Sequence, residues 1–260
     1  MFTKLVLCKG KQKKMEQKDN DLIVLNNQEL TNPKQKVNIE LNKVHCMDCL
    51  EGLKMLPDNS VDLIVTDPPY GIGYKSNHGS KEYKKRVQNT DWDISFDFSN
   101  FFDEFYRVLK NDSYMYVWGR FENYETMKKL GMCRVLIWDK DHCGMGDLTD
   151  WGIGYELVYV FKKGKPKLIG GRTNGVFKIQ HIGFFDKTLH PTQKPVKVIK
   201  HLLNKSSKDN DIVLDGFMGS GTTAVACKQL NRRFIGFELE QKYVDICNKR
   251  LAQGNIKEWF

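Results

Sequence analysis

Hydrophobic positions along the chain gather into short continuous runs, several of them ending at glycine, proline or an acid. Val61-Asp62-Leu63-Ile64-Val65-Thr66, Ile212-Val213-Leu214 and Phe234-Ile235-Gly236-Phe237 read as strands covered on both faces, because alternation with polar residues is missing. Tyr114–Trp118, Val135–Trp138 and Glu156–Phe161 read as further strands, and Phe98–Leu109, Pro195–Leu203 and Thr222–Cys227 as helices. Strands and helices mixed in this way predict an α/β domain. In open α/β sheets ligands bind at the carboxyl ends of the strands near a topological switch. The loops after Thr66 and after Leu214 are therefore expected at one sheet edge.

Composition bounds the rest of the reading. At 260 residues and 40% hydrophobic, the chain can bury the core of a single catalytic domain. No apolar run approaches the ~20 residues that a membrane span needs, and the start, Met1–Lys18, is lysine-rich without a secretory apolar core. Seven cysteines, odd in number and scattered, do not suggest a disulfide framework. A cytoplasmic setting is the expectation. Cys46 and Cys49 form the one C-x-x-C pair, but neither Cys227 with Cys247 nor His142 with Cys143 supplies convincing partners for zinc, so no metal is expected.

The formal charge of +9 is concentrated. Phe161–Lys200 holds ten Lys/Arg against one acid, Asp186, an excess equal to that of the whole chain. Such a run is often a solvated face. Here Asn174, Phe177, Gln180, His181, Phe184 and Phe185 interleave with the cations and add stacking and base-edge groups, which points to nucleic acid. Lys165, Lys167, Arg172 and Lys178 are the candidate contacts. A second basic stretch, with Lys81, Lys84, Lys85 and Arg86, reads as a loop closing over a substrate. Residues 1–37, rich in Lys and Asn, read as an accessory arm without an assigned role.

Two motifs carry the chemistry. Asp67-Pro68-Pro69-Tyr70 follows the first strand and offers a carboxylate, aimed carbonyls and an aromatic ring, a set that can hold a planar amine. Its rival is an extended Pro-Pro linker with fixed φ and no N–H donors. Asp215-Gly216-Phe217-Met218-Gly219-Ser220-Gly221 joins a strand to a helix as a nucleotide-binding loop does, and Glu238, ending the next strand, is placed to accept from ribose hydroxyls. Gly219–Ala224 also fits the fingerprint of nicotinamide enzymes, but there is little room after it for a second mononucleotide half, and hydride transfer needs no basic stretch.

With these motifs the chain resembles the DNA amino-methyltransferases that use S-adenosylmethionine, in the group whose catalytic motif precedes the cofactor loop. His45–Leu53, His190-Pro191-Thr192-Gln193-Lys194-Pro195 and Ile235–Leu239 match as well, so that the resemblance covers about residues 44–251. It departs at Gly216, where the family usually has proline, a change expected to loosen the loop, and it leaves residues 1–37 outside.

The resemblance implies a Rossmann-like methyltransferase fold, a mostly parallel sheet with helices on both faces. The methyltransferase domain would span 38–260, with a basic target-recognition insert at about 162–189 and a cofactor-binding part at about 190–251. Asp67, Pro68, Pro69 and Tyr70 would be catalytic: the carboxylate and the Pro68 carbonyl accept the two N–H groups of the target amine, and Tyr70 stacks on a base rotated out of the duplex. Glu238 would bind the cofactor ribose and Asp48 its adenine amine, framed by Asp215, Phe217, Gly219, Gly221 and Thr222. Thr192 and Lys194 would reach its methionine end. Aspartate at 67 favours adenine N6, since relatives acting on cytosine N4 more often carry serine there, and cytosine is the runner-up. RNA or protein-glutamine methylation is disfavoured because those relatives place the cofactor loop first, and a silent DNA-binding role because the acid and the glycines are intact. Double-stranded DNA is the implied partner. Dimers are common in the group, but no residue requires one.

Overall fold

A computed structural model describes residues 39–71, 96–141, 151–181 and 193–253. Among these, β1 (Lys43–Cys46), β2 (Val61–Thr66), β3 (Leu109–Gly119), β4 (Arg134–Asp139), β5 (Tyr155–Lys163), β6 (Val176–Lys178), β7 (Ile212–Asp215) and β8 (Arg233–Glu238) form one sheet, ordered β1-β8-β7-β2-β3-β5-β4-β6. All neighbours are parallel except those of β5, which runs against β3 and β4. This is the Rossmann-like arrangement that the resemblance implies.

The helices are α1 (Cys49–Lys54), α2 (Ser99–Val108), α3 (Tyr124–Lys129), α4 (Val196–Ser206), α5 (Thr222–Gln229) and α6 (Gln241–Ala252). On one face α4, α5 and α6 bring Val198, Leu202, Ala226 and Val244 against Leu63, Val65, Tyr116 and Val213. On the other, α1, α2 and α3 bring Leu53, Phe105 and Met127 against Ile64, Val117, Leu214 and Phe237. Central β2 is covered on both sides, which is why its apolar run does not alternate. Leu63, Ile64 and Val65 are fully buried, and at about 1.5–3 kcal/mol each they favour the sheet by several kcal/mol before chain entropy is counted. No helix of the described residues is long and apolar enough to cross a membrane.

Expected and observed elements differ at their ends and edges. The helix expected over Phe98–Leu109 stops at Val108, because Leu109 is already extended (φ −68°, ψ 133°) and opens β3. Two short strands were not expected: β1 at the far edge and β6 inside the basic stretch. β6 pairs with β4 and buries Phe177, so this part of the stretch belongs to the main sheet. Gly216 does not loosen its loop. A Cβ there would lie 2.5 Å from the Phe105 ring and 2.6 Å from Cys49 Sγ, so the backbone is held close against α1 and α2.

Candidate active site

The strand order sets the site. The neighbouring ends of β1, β8, β7, β2 and β3 deliver Asp48, Glu238, the 216–221 loop, the Asp67–Tyr70 loop and the turn Phe121–Asn123 in that succession along one sheet edge. The glycine loop and the Asp67 loop are direct neighbours in space. Thr66 Oγ1 donates to Asp215 Oδ1 at 3.0 Å, joining positions 149 residues apart.

In the Asp67 loop the Asp67 carboxylate, the Tyr70 hydroxyl and the Tyr70 carbonyl are held. Tyr70 Oη donates to Asp67 Oδ1 at 2.7 Å, and Lys194 Nζ donates to Oδ2 at 2.5 Å. Asn123 Nδ2 donates to the Tyr70 carbonyl at 2.8 Å, which ties the loop to the end of β3. Pro68 is buried, while Asp67, Pro69 and Tyr70 are half-buried. Beside them is a cavity of about 200 Å³ lined in part by Pro68, Pro69, Tyr70, Phe96 and Trp118. It is smaller than the roughly 300–1,000 Å³ of drug-sized sites, in keeping with a single planar group.

Lys194 is the electrostatic centre. Burial opposes its charge, but Asp67, Glu156 and Tyr70 outweigh that penalty and hold its pKa well above the ordinary lysine value. Its Nζ lies 3.2 Å from Glu156 Oε2 and 5.9 Å from the centre of the Trp118 ring. Burial also raises the Tyr70 hydroxyl well above its usual value, with the Asp67 charge adding to it, so Tyr70 acts as a donor throughout the neutral range. The sequence reading put Lys194 at the cofactor's methionine end and did not single out Glu156. A signal existed: Glu156 shares the inward period-2 register of Val158 and Val160, an unusual position for a lone acid.

On the cofactor side, Asp48 caps α1, its Oδ1 accepting from Leu50 N at 2.9 Å and Glu51 N at 3.1 Å. Glu238 ends β8 opposite Cys46, two residues before Asp48. Its Oε2 accepts from Gly219 N at 2.8 Å and its Oε1 from Glu240 N at 2.9 Å, which leaves lone pairs for a diol. Gly221 adopts a left-handed φ of +82° and caps α5. Phe217 stands edge-on to Phe96 with ring centres 5.4 Å apart. An acid at one strand end, a glycine loop at the next and an aromatic wall fit an adenosyl cofactor.

Two expected cofactor contacts take other roles. Asp215 is buried and accepts from Thr66, Thr223 and the Phe217 amide, so it fastens the loop and does not face a ligand. Burial pushes its carboxyl up to about 6 against those three donors. Thr222 is buried too, its hydroxyl donating to the Lys194 carbonyl at 3.3 Å. It links the glycine loop to the Lys194 segment. Arg250, which sequence reasoning missed, donates from Nη1 to the Ser220 carbonyl at 2.7 Å and braces the loop from α6.

The basic stretch divides. Because β5 runs backwards, Lys163 pairs with Ser113 near the start of β3, at the edge opposite Asp67. Lys163 is spent there on Asn59 Oδ1 and the Tyr106 and Leu109 carbonyls. Lys165 and Lys167 follow at the same remote edge, where Lys165 N donates to Asp112 and the Pro166 carbonyl accepts from Tyr114. They do not join the site. Lys178 does reach the site edge, exposed and 2.6 Å from Asp141. Arg172 is exposed in the segment leading to β6. Phe177, expected to stack on bases, instead stacks on His201 at 4.6 Å inside the protein, and His181 stacks on Trp138. Lys81, Lys84, Lys85, Arg86, Thr192, Phe184, Phe185 and the arm lie outside the described residues.

One sheet edge thus sets the Asp67–Tyr70 loop against the 216–221 glycine loop, with Glu238 at the next strand end. Residues 61–249 match the family described as DNA methylase, and the chain belongs to that family. Putative methylase YubD of Escherichia coli (strain K12) is 33% identical over 211 residues, covering 79% of this chain and 88% of that protein. The Type II methyltransferase M.HpaI of Haemophilus parainfluenzae is 29% identical over 236 residues, covering 79% and 73%. Among solved structures, a complex titled M1.HpyAVI-SAM matches with a TM-score of 0.59 at 24% identity over 80% of this chain and 98% of that one. PvuII DNA methyltransferase (cytosine-N4-specific) matches with a TM-score of 0.64 at 21% identity over 83% and 88%. These two are likenesses of fold.

Proposed function

We propose that this DNA amino-methyltransferase transfers the methyl group of S-adenosylmethionine to the N6 amine of adenine in double-stranded DNA. The observation that carries the proposal is the Asp67 loop seated directly beside the glycine loop. When bound, the cofactor supplies a methyl group on a positively charged sulfur. The protein's part is to prepare the amine, a poor nucleophile because its lone pair is delocalised into the ring. An oxygen of Asp67 and the Pro68 carbonyl accept its two N–H groups and draw the nitrogen toward tetrahedral geometry, and the proline ring has aimed that carbonyl in advance. Tyr70, restrained at its hydroxyl by Asp67 and at its carbonyl by Asn123, presents its ring to a base turned out of the duplex. Held by Asp67 and Pro68, the nitrogen would take the methyl group as the methyl's bond to sulfur breaks, and the surplus amine proton would leave to solvent.

Aspartate at 67 supports adenine. The alternative, cytosine N4, would use the same loops, and one solved likeness carries a cytosine-N4 title. Mass spectrometry of nucleosides from unmethylated DNA treated with the protein and methyl-labelled cofactor separates the two. Labelled N6-methyladenine is expected; labelled N4-methylcytosine selects the alternative, and no label on DNA of varied sequence overturns both.

A further inference from the structure

We infer that Glu156 is a positioning residue that receives the Lys194 ammonium when the target amine arrives at Asp67. The inference rests on amine methylation at Asp67, as proposed above.

Both oxygens of Asp67 already carry a donor. Oδ1 carries the Tyr70 hydroxyl at 2.7 Å and Oδ2 the Lys194 ammonium at 2.5 Å. An N–H accepted at Oδ2 would share that oxygen with a charged donor, and an ammonium displaced from it would keep only the Tyr70 hydroxyl at 3.4 Å, poor compensation for a buried charge. Glu156 solves this. Its Oε2 is buried and carries no hydrogen bond among the described residues, an uncommon condition for a carboxylate oxygen. It nevertheless lies 3.2 Å from Lys194 Nζ, near enough for an ion pair but misaligned for a hydrogen bond. A small turn of the lysine end would complete that bond as the bond to Asp67 is released.

The surroundings permit the movement. The Trp118 ring faces Nζ at 5.9 Å, close enough to stabilise the cation. Glu156 Oε1 is 3.7 Å from Lys140 Nζ, so the side chain is paired on its far side while Oε2 carries no hydrogen bond among the described residues. The four side chains alternate in sign, Asp67, Lys194, Glu156, Lys140. Shifting Lys194 along that row changes no net charge in the site.

Three proteins test this: wild type, E156Q and E156D, each followed by single-turnover methyl transfer to DNA, by cofactor affinity from calorimetry and by melting temperature. Removing the charge in E156Q should slow single turnover at least about tenfold, the size of effect expected when coupled buried groups are separated, with melting temperature and cofactor affinity little changed. E156D, which keeps the charge, should recover most of the rate. A rate in E156Q equal to wild type overturns the inference, and so does an E156D no faster than E156Q at an unchanged melting temperature. If E156Q does not fold, E156D still decides: a tenfold or greater loss in a folded E156D also overturns it. Absence of transfer in the wild type would instead sink the functional reading on which the inference depends.

Discussion

Gly221→Ala probes how tightly the cofactor loop is built. Gly221 sits at φ +82°, where a side chain costs roughly 1–2 kcal/mol. The added Cβ would also overlap Cys247 Sγ on α6 and lie 2.8 Å from Cys247 Cβ and 3.2 Å from its Cα. The last of these is backbone, so loop or helix must shift, an overpacking cost of about 1–3 kcal/mol. The sum, about 2–5 kcal/mol, should lower the melting temperature by roughly 4–20 °C for a domain of this size. If this loop frames the cofactor, as the proposed function requires, affinity for S-adenosylmethionine should weaken as well, read by calorimetry. The two contributions can be separated in a Cys247→Ala background, which removes the sulfur overlap but not the backbone strain. There the cost of Gly221→Ala should fall by at least about 0.5 kcal/mol in urea unfolding, a coupling measurable by a double-mutant cycle. A stability change below about 1 kcal/mol with unaltered cofactor affinity would refute the tight, left-handed loop.

Asp67→Ala should lower methyl transfer by on the order of 10³-fold while cofactor binding by calorimetry is retained; persistent transfer would remove Asp67 from the chemistry. Asp215, raised to about 6 in the folded protein, binds its proton more tightly than in the unfolded chain. Its contribution is thus full below about pH 4 and lost as the pH rises through about 6, some 3 kcal/mol in all. Urea unfolding of wild type and Asp215→Asn across pH 4–7 should show that loss in the wild type alone, and parallel curves would discount it. Lys178→Ala should reduce the salt slope of DNA binding by about 0.9, whereas Lys165→Ala, at the remote edge, should leave it unchanged. Equal effects of the two would relocate the DNA surface.

The fold was legible where burial dictates the pattern. β2, β7 and β8 are covered on both faces, so their central residues, Leu63–Val65, Ile212–Leu214 and Phe234–Phe237, do not alternate with polar ones and announce themselves. β1 and β6 have four and three residues at sheet edges and follow no period that could be recognised. In the candidate site, the shared placement of the Asp67 loop, the glycine loop and Glu238 was legible because each lies within a few residues of a strand end. The division of the basic stretch was not. A run of cations in sequence becomes one patch only if the chain keeps its direction, and the reversal at β5 sends Lys163, Lys165 and Lys167 to the far edge while Lys194 turns inward to Asp67. Phe177 shows the same limit, since an aromatic among lysines looks exposed until an edge strand folds it onto His201.

The order of strands also bears on how the chain acquires its shape. β2 is central, yet its partner β7 follows it by about 150 residues, as the Thr66–Asp215 bond spanning 149 positions shows. β1 waits longer still: Asn42 is joined to Phe234 across 192 positions. Contacts this distant make for slow folding and leave apolar strand edges uncovered in the meantime. Under the proposed function the cofactor loops follow β7 and β8, so a nascent chain would become able to hold the cofactor only when those late strands have docked.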